Sequence, residues 1–251
     1  MKMLIAGNWK MNCSLEDAKL LIADIINGIH VREGLRDRCE FLVCPSFIYM
    51  PTIRHAVLNH NLLSFGAQDC SDQDNGAFTG DISATMLKES GCQYVIVGHS
   101  ERRGYHAESN ALVKAKAQKV VNNAMCAIIC VGETEQQRSN GEALATVLKQ
   151  LEECVPEGAD SKNIVIAYEP VWAIGTGKVA TTADIDEIHT AIRQKLKEML
   201  ADGANIRILY GGSVKPDNAG DILNIPDVNG ALIGGASLQA QSFLGIAEAA
   251  Q

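Results

Sequence analysis

Eight short β-rich runs recur along the chain of 251 residues, with longer stretches between them, and this alternation limits the fold more than any other feature. The runs are Met3–Asn8, Cys39–Cys44, Leu62–Ala67, Gln93–Gly98, Ala127–Val131, Asn163–Tyr168, Arg207–Tyr210 and Gly230–Gly234. Between them, Leu15–Ile29, Asn110–Asn123, Glu142–Glu153 and Asp184–Leu200 repeat apolar residues at i, i+3 and i+4 with charges on the opposite side, which predicts helices burying one face. Consecutive strand–helix units build a parallel sheet. No Pro/Ser-rich linker or low-complexity tract interrupts them, so residues 1–251 read as one domain.

Periodicity alone leaves two architectures open, an open doubly wound sheet and a closed (β/α)8 barrel ringed by helices. The residues that follow the strands favour the barrel. Polar or glycine-rich signatures stand after nearly every run: Asn8-Trp9-Lys10, Pro45-Ser46, Gln68-Asp69, His99-Ser100-Glu101, Gly132-Glu133, Glu169-Pro170, Gly211-Gly212-Ser213 and Gly234-Gly235. A barrel gathers all eight strand ends at one mouth, whereas an open sheet leaves half of these signatures without employment. A length of roughly 250 residues is also usual for such a barrel.

The net charge of −8 disfavours nucleic acid and anionic membrane as partners, while a few lysines and helix N-termini still permit one positive pocket for a small anion. No apolar stretch approaches the roughly 20 residues of a membrane span. The apolar run near Met1 is too short for a signal peptide, and a cytoplasmic protein is expected. The eight cysteines form no C-x-x-C pair and have no histidine at zinc-ligand spacing, so residues such as Cys44, Cys126 and Cys130 read as small core hydrophobes in a reducing compartment.

Glu169 ends the apolar strand Ile164–Tyr168, where partial desolvation predicts a raised pKa suited to a general base. Taken alone, a strand-end Glu serves equally well as a structural ion-pair partner. The segment Pro170–Lys178 that follows has a stiff start, an apolar middle with Trp172 and a glycine-rich end, the design of a lid that excludes water from a polar mouth. His99 stands before Ser100-Glu101-Arg102-Arg103; a helical turn starting there keeps its ring neutral and able to donate to a developing oxyanion. His30, His55, His60, His106 and His189 read as surface residues. Lys10 follows the first strand on the same side as Asn8, and an ammonium there needs an anion; the substrate and Glu101 are the two choices. The glycine pairs Gly211-Gly212-Ser213 and Gly234-Gly235 close the last two strands, where barrels commonly bind phosphate.

These motifs, in this order, resemble the triosephosphate isomerase family over nearly the whole chain. The likeness runs through Gly7-Asn8-Trp9-Lys10-Met11-Asn12, Gly76-Ala77-Phe78-Thr79-Gly80, Val97 to Arg103, Ala167 to Gly177, Tyr210 to Val214 and Gly234 to Leu238. That family is itself a standard case of a glutamate base paired with a neutral histidine under a closing loop. The resemblance implies that Glu169 moves the proton while His99 and Lys10 stabilise the enediolate oxygens and Asn8 orients the same region. It implies phosphate contacts from Gly175, Ser213, Gly234 and Gly235, triose phosphates as substrates, and neither metal nor organic cofactor. It further implies a homodimer joined through the loop Gln68 to Thr79. Two departures stand out: Thr181-Thr182-Ala183 occupies the place of a usual helix-start proline, with Thr181 still able to cap, and Asp69 stands where many relatives carry Asn.

Two rival readings share the barrel. Another phosphosugar enzyme would lack this lid and this His-Ser-Glu, and a catalytically dead sugar-phosphate binder would have lost Glu169, His99 or Lys10. All of these residues are present.

Overall fold

The computed structural model describes residues 1–174 and 178–250, and of Leu58 the backbone. Its eight strands are β1 (Met3–Asn8), β2 (Cys39–Cys44), β3 (Ser64–Ala67), β4 (Tyr94–Val97), β5 (Cys126–Val131), β6 (Ile164–Tyr168), β7 (Ile208–Tyr210) and β8 (Gly230–Ile233). Each pairs in parallel with its sequence neighbour, and β1 also pairs with β8, so that Leu4 faces both Glu40 and Gly230 and the barrel closes. Every predicted run holds a strand, displaced by at most two residues at either end.

Alternation along the strands sorts side chains into two cores. Leu4, Ala6, Leu42, Cys44, Ile96, Cys130, Val165, Ala167, Leu209 and Leu232 form one cluster inside the barrel. Their neighbours Ile5, Phe41, Val43, Val95, Val97, Ile129, Ile166, Ile208 and Ile233 join the larger cluster between strands and helices. Apart from exposed Glu40 and the half-buried first residues of some strands, both faces of each strand are buried, which explains why the runs are predominantly apolar. Each fully buried Leu, Ile or Val contributes on the order of 1.5–3 kcal/mol by leaving water. Seven of the eight cysteines are buried and all are free thiols; among the described residues no helix is long and apolar enough to cross a membrane.

The long helices are Leu15–His30, Asn110–Asn122, Ala143–Cys154 and Thr182–Met199. Ser14 and Thr181 start the first and last of these with capping boxes completed by Asp17 and Asp184. Thr181 thus caps as predicted, without the proline.

His189 is not a surface residue: it is fully buried in the helix Thr182–Met199. The inward positions of this helix are Ile185, Ile188, His189, Ile192, Arg193 and Leu196, a 3.6-residue stripe that includes two polar members. The His189 ring lies 5.8 Å, centroid to centroid, from Tyr168, and its Nδ1 is 3.1 Å from the Asp227 carbonyl oxygen. Burial pushes its pKa down to about 4, against a smaller upward pull from Asp227.

Candidate active site

The C-terminal strand ends open onto a cavity of about 670 Å³ whose walls include Asn8, Lys10, His99, Glu169, Ser213, Gly234 and Gly235. These are all the sequence-predicted site residues except Gly175, which lies outside the described residues together with Thr176 and Gly177.

Glu169 follows β6 directly and is only 2% exposed. Its carboxylate accepts the Ser100 backbone N–H at 2.8 Å and lies 2.9 Å from His99 Nε2. Burial alone would raise its pKa, but His99, the Ser100 N–H and Lys10 together outweigh burial and hold the carboxyl below its usual range. The raised pKa expected from the apolar strand is therefore not what this arrangement gives: the strand desolvates the carboxylate, while the β4 end supplies the donors that keep it charged. Gly211 preserves the space around it, since a Cβ there would stand 2.9 Å from Glu169 Cγ.

His99 caps the short helix Ser100–Tyr105, as the sequence suggested, and its Nδ1 accepts the Glu101 N–H at 3.2 Å. That bond occupies the Nδ1 lone pair and leaves the ring proton on Nε2, which faces Glu169. Burial disfavours charge on the ring, yet the Glu169 carboxylate outweighs it and raises the His99 pKa. The expectation that the helix end alone governs this ring thus needs correction. Glu169, the largest upward influence, acts only while it remains beside Nε2.

Of the two partners between which the sequence left the choice open, Glu101 is the one that Lys10 contacts in this structure. Its Nζ lies 2.5 Å from Glu101 Oε1, and it lines the cavity beside Gly234, whose Cβ, if present, would sit 3.4 Å from Lys10 Cε. The Lys10 backbone is left-handed, with φ of 53°. Three side chains hold it there: Asn8 Oδ1 accepts its N–H at 3.1 Å, while Gln68 Nε2 and Ser46 Oγ donate to its carbonyl at 2.8 and 3.1 Å. A non-glycine residue persists in this region when its surroundings fix it. Ser46 stood out in the sequence as a polar strand-end residue and Gln68 also as the start of the implied dimer loop, and their service to Lys10 was not legible there.

Glu133, after β5, is the other residue whose part emerges only in three dimensions. It is fully buried, and its Oε1 accepts from Trp172 Nε1 at 2.8 Å and Tyr168 Oη at 3.1 Å, with Arg138 at 3.3 Å. Arg138 also stacks 5.0 Å from the Trp172 ring centroid. Trp172 does not line the cavity, and the described residue of the segment Pro170–Lys178 that does so beyond Glu169 is Ile174. Ser213 Oγ donates to the Ala173 carbonyl at 3.1 Å, joining the lid base to the loop after β7.

Comparison with known proteins agrees with this geometry. The family model described as triosephosphate isomerase matches residues 3–250. The chain belongs to the triosephosphate isomerase family. It is 49% identical to the triosephosphate isomerase of Rhizobium etli, a match spanning 97% of this chain and 94% of that one. The Xanthobacter flavus triosephosphate isomerase is also 49% identical, over 98% of this chain and 96% of the relative. Among solved structures, the triosephosphate isomerase of Bartonella henselae superposes with a TM-score of 0.90 at 44% identity, covering 99% of both chains.

Proposed function

We propose that this chain interconverts dihydroxyacetone phosphate and D-glyceraldehyde 3-phosphate by proton transfer through an enediolate, with Glu169 as base and His99 and Lys10 as stabilisers of the oxygens. The observation that carries the reading is the meeting of Glu169, His99 and Lys10, from β6, β4 and β1, on one cavity that Ser213, Gly234 and Gly235 also line. Substrate entering between them displaces Glu169 from His99. The carboxylate then takes a proton from carbon, and His99 Nε2–H, freed from Glu169, donates to the adjacent oxygen as charge develops there. Lys10 offers its ammonium to the same oxygens and to the phosphate, with Asn8 fixing its backbone and Gly175 joining the phosphate as the lid closes. A coupled assay of triose phosphate interconversion on the purified protein tests the reading, and a folded protein without turnover refutes it.

The active form is a homodimer joined through the loop Gln68 to Thr79, and the enzyme works in cytoplasmic glycolysis and gluconeogenesis. Support for the dimer comes from exposed apolar side chains on and near that loop, Met11 at 95%, Tyr105 at 85% and Phe78 at 46%. Asp69 anchors the loop base through Lys116 at 2.8 Å and Arg102 at 2.8 Å. Sedimentation equilibrium reads the assembly directly; a monomer at micromolar concentration removes the dimer.

A further inference from the structure

The remaining question at the mouth is how an anion reaches it, because the substrate must approach a protein whose net charge is −8. Two of the carboxylates that line the cavity already have partners: Glu101 pairs with Lys10, and Glu169 lies against His99 Nε2. One further cation stands on the wall. Lys215, exposed two residues beyond Ser213, lines the same cavity and makes no ion pair among the described residues.

Its placement is fixed by the backbone rather than by its own flexible stem. The Lys215 N–H donates to Asn218 Oδ1 at 2.7 Å, and Asn218 Nδ2 donates back to the Ser213 carbonyl at 3.2 Å. Pro216 restricts the Lys215 backbone further, since a residue before proline is kept extended. The turn that presents Ser213 to the cavity therefore also holds Lys215 at its rim. Asp217, the nearest acidic residue in sequence, does not line the cavity.

We infer that Lys215 guides the phosphate group of the incoming substrate, supplying the uncompensated positive charge that draws a dianion to the Ser213 and Gly234–Gly235 side of the mouth. The inference rests on the proposed isomerase reading and adds a residue to it. A charge that acts during approach works through long-range attraction, so its effect falls on kcat/KM and fades as salt shortens the reach of the field. A side chain with a purely structural part gives no such fading.

The test compares wild type, Lys215→Gln and Lys149→Gln across ionic strength with D-glyceraldehyde 3-phosphate as substrate. Lys149 is an exposed lysine on the helix Ala143–Cys154, so its variant changes net charge equally but away from the mouth. For a dianion passing roughly 9 Å from the ammonium, Coulomb attraction with Debye screening gives a loss in kcat/KM of about threefold near ~10 mM salt, shrinking to about 1.3-fold near ~0.3 M. Lys215→Glu should roughly square the low-salt loss, and Lys149→Gln should track wild type throughout. A Lys215→Gln loss that is absent, or equal at all salt concentrations, or matched by Lys149→Gln, overturns the inference. Absence of isomerisation in wild type itself would instead sink the functional reading on which it stands.

Discussion

Glu169 Oε1 and His99 Nε2 lie 2.9 Å apart, so that the residue proposed to take the proton and the residue proposed to steady the oxygen are bonded to each other before substrate arrives. Each holds the other in the charge state that the pair prefers, Glu169 ionised and His99 more basic than an isolated ring. In the proposed mechanism substrate binding breaks this contact, and doing so changes both groups at once.

The first expectation concerns that coupling. The Glu169 charge favours imidazolium, so replacing it by the neutral amide in Glu169→Gln should lower the His99 pKa, while burial and Lys10 continue to push it down. The sign follows from linkage. In wild type the pair contributes its full stability above the unfolded carboxylate pKa and below the unfolded imidazole pKa; it loses that contribution as pH rises through the raised His99 value or falls through the lowered Glu169 value. Nuclear magnetic resonance titration of the His99 ring in the two proteins measures the shift, and identical titrations would show that the two groups are not coupled.

Gly211 tests whether the room around Glu169 matters. In Gly211→Ala the new methyl stands 2.9 Å from Glu169 Cγ and 3.1 Å from the Tyr168 carbonyl oxygen, so the carboxylate must move. Overpacking of this size costs about 1–3 kcal/mol of stability, and displacement of a base by even ~1 Å lowers kcat on the order of 100-fold. The variant should remain folded by thermal melting and lose kcat. Full activity would mean that the base tolerates displacement.

Deleting Ile174 to Gly177 should leave the barrel folded, because strand-to-helix loops contribute little to the core. Catalysis should collapse. The enediolate carries a phosphate on its neighbouring carbon, and without a lid to exclude water and grip that phosphate the intermediate expels it. The variant should release methylglyoxal and inorganic phosphate in a larger share of turnovers than wild type. Slow isomerisation with no added phosphate release would confine the loop to positioning Glu169.

Much of this was legible in the sequence because a parallel barrel buries both faces of every strand. β5, from Cys126 to Val131, reads as an uninterrupted apolar run for that reason, and the residues just beyond β1, β4, β6, β7 and β8 line one cavity, whereas those beyond β2, β3 and β5 do not. Pairwise geometry was not legible. The apolar strand before Glu169 argued for a raised pKa, but the Ser100 N–H and His99 arrive from a strand some seventy residues earlier. His189 read as a surface residue until the helix turned its stripe onto Tyr168, and nothing in the sequence paired Trp172 with Glu133 and Arg138.

The central claim, that Glu169 carries a proton between carbons of a triose phosphate, is tested most directly by running the reaction in deuterium oxide with wild type and Glu169→Asp. Wild type should convert dihydroxyacetone phosphate to D-glyceraldehyde 3-phosphate bearing deuterium at C2, detected by proton nuclear magnetic resonance. Glu169→Asp, which withdraws the carboxylate by about one methylene, should form the same product at least about 100-fold more slowly with little change in KM. Product formed by Glu169→Asp at the wild-type rate would contradict the account.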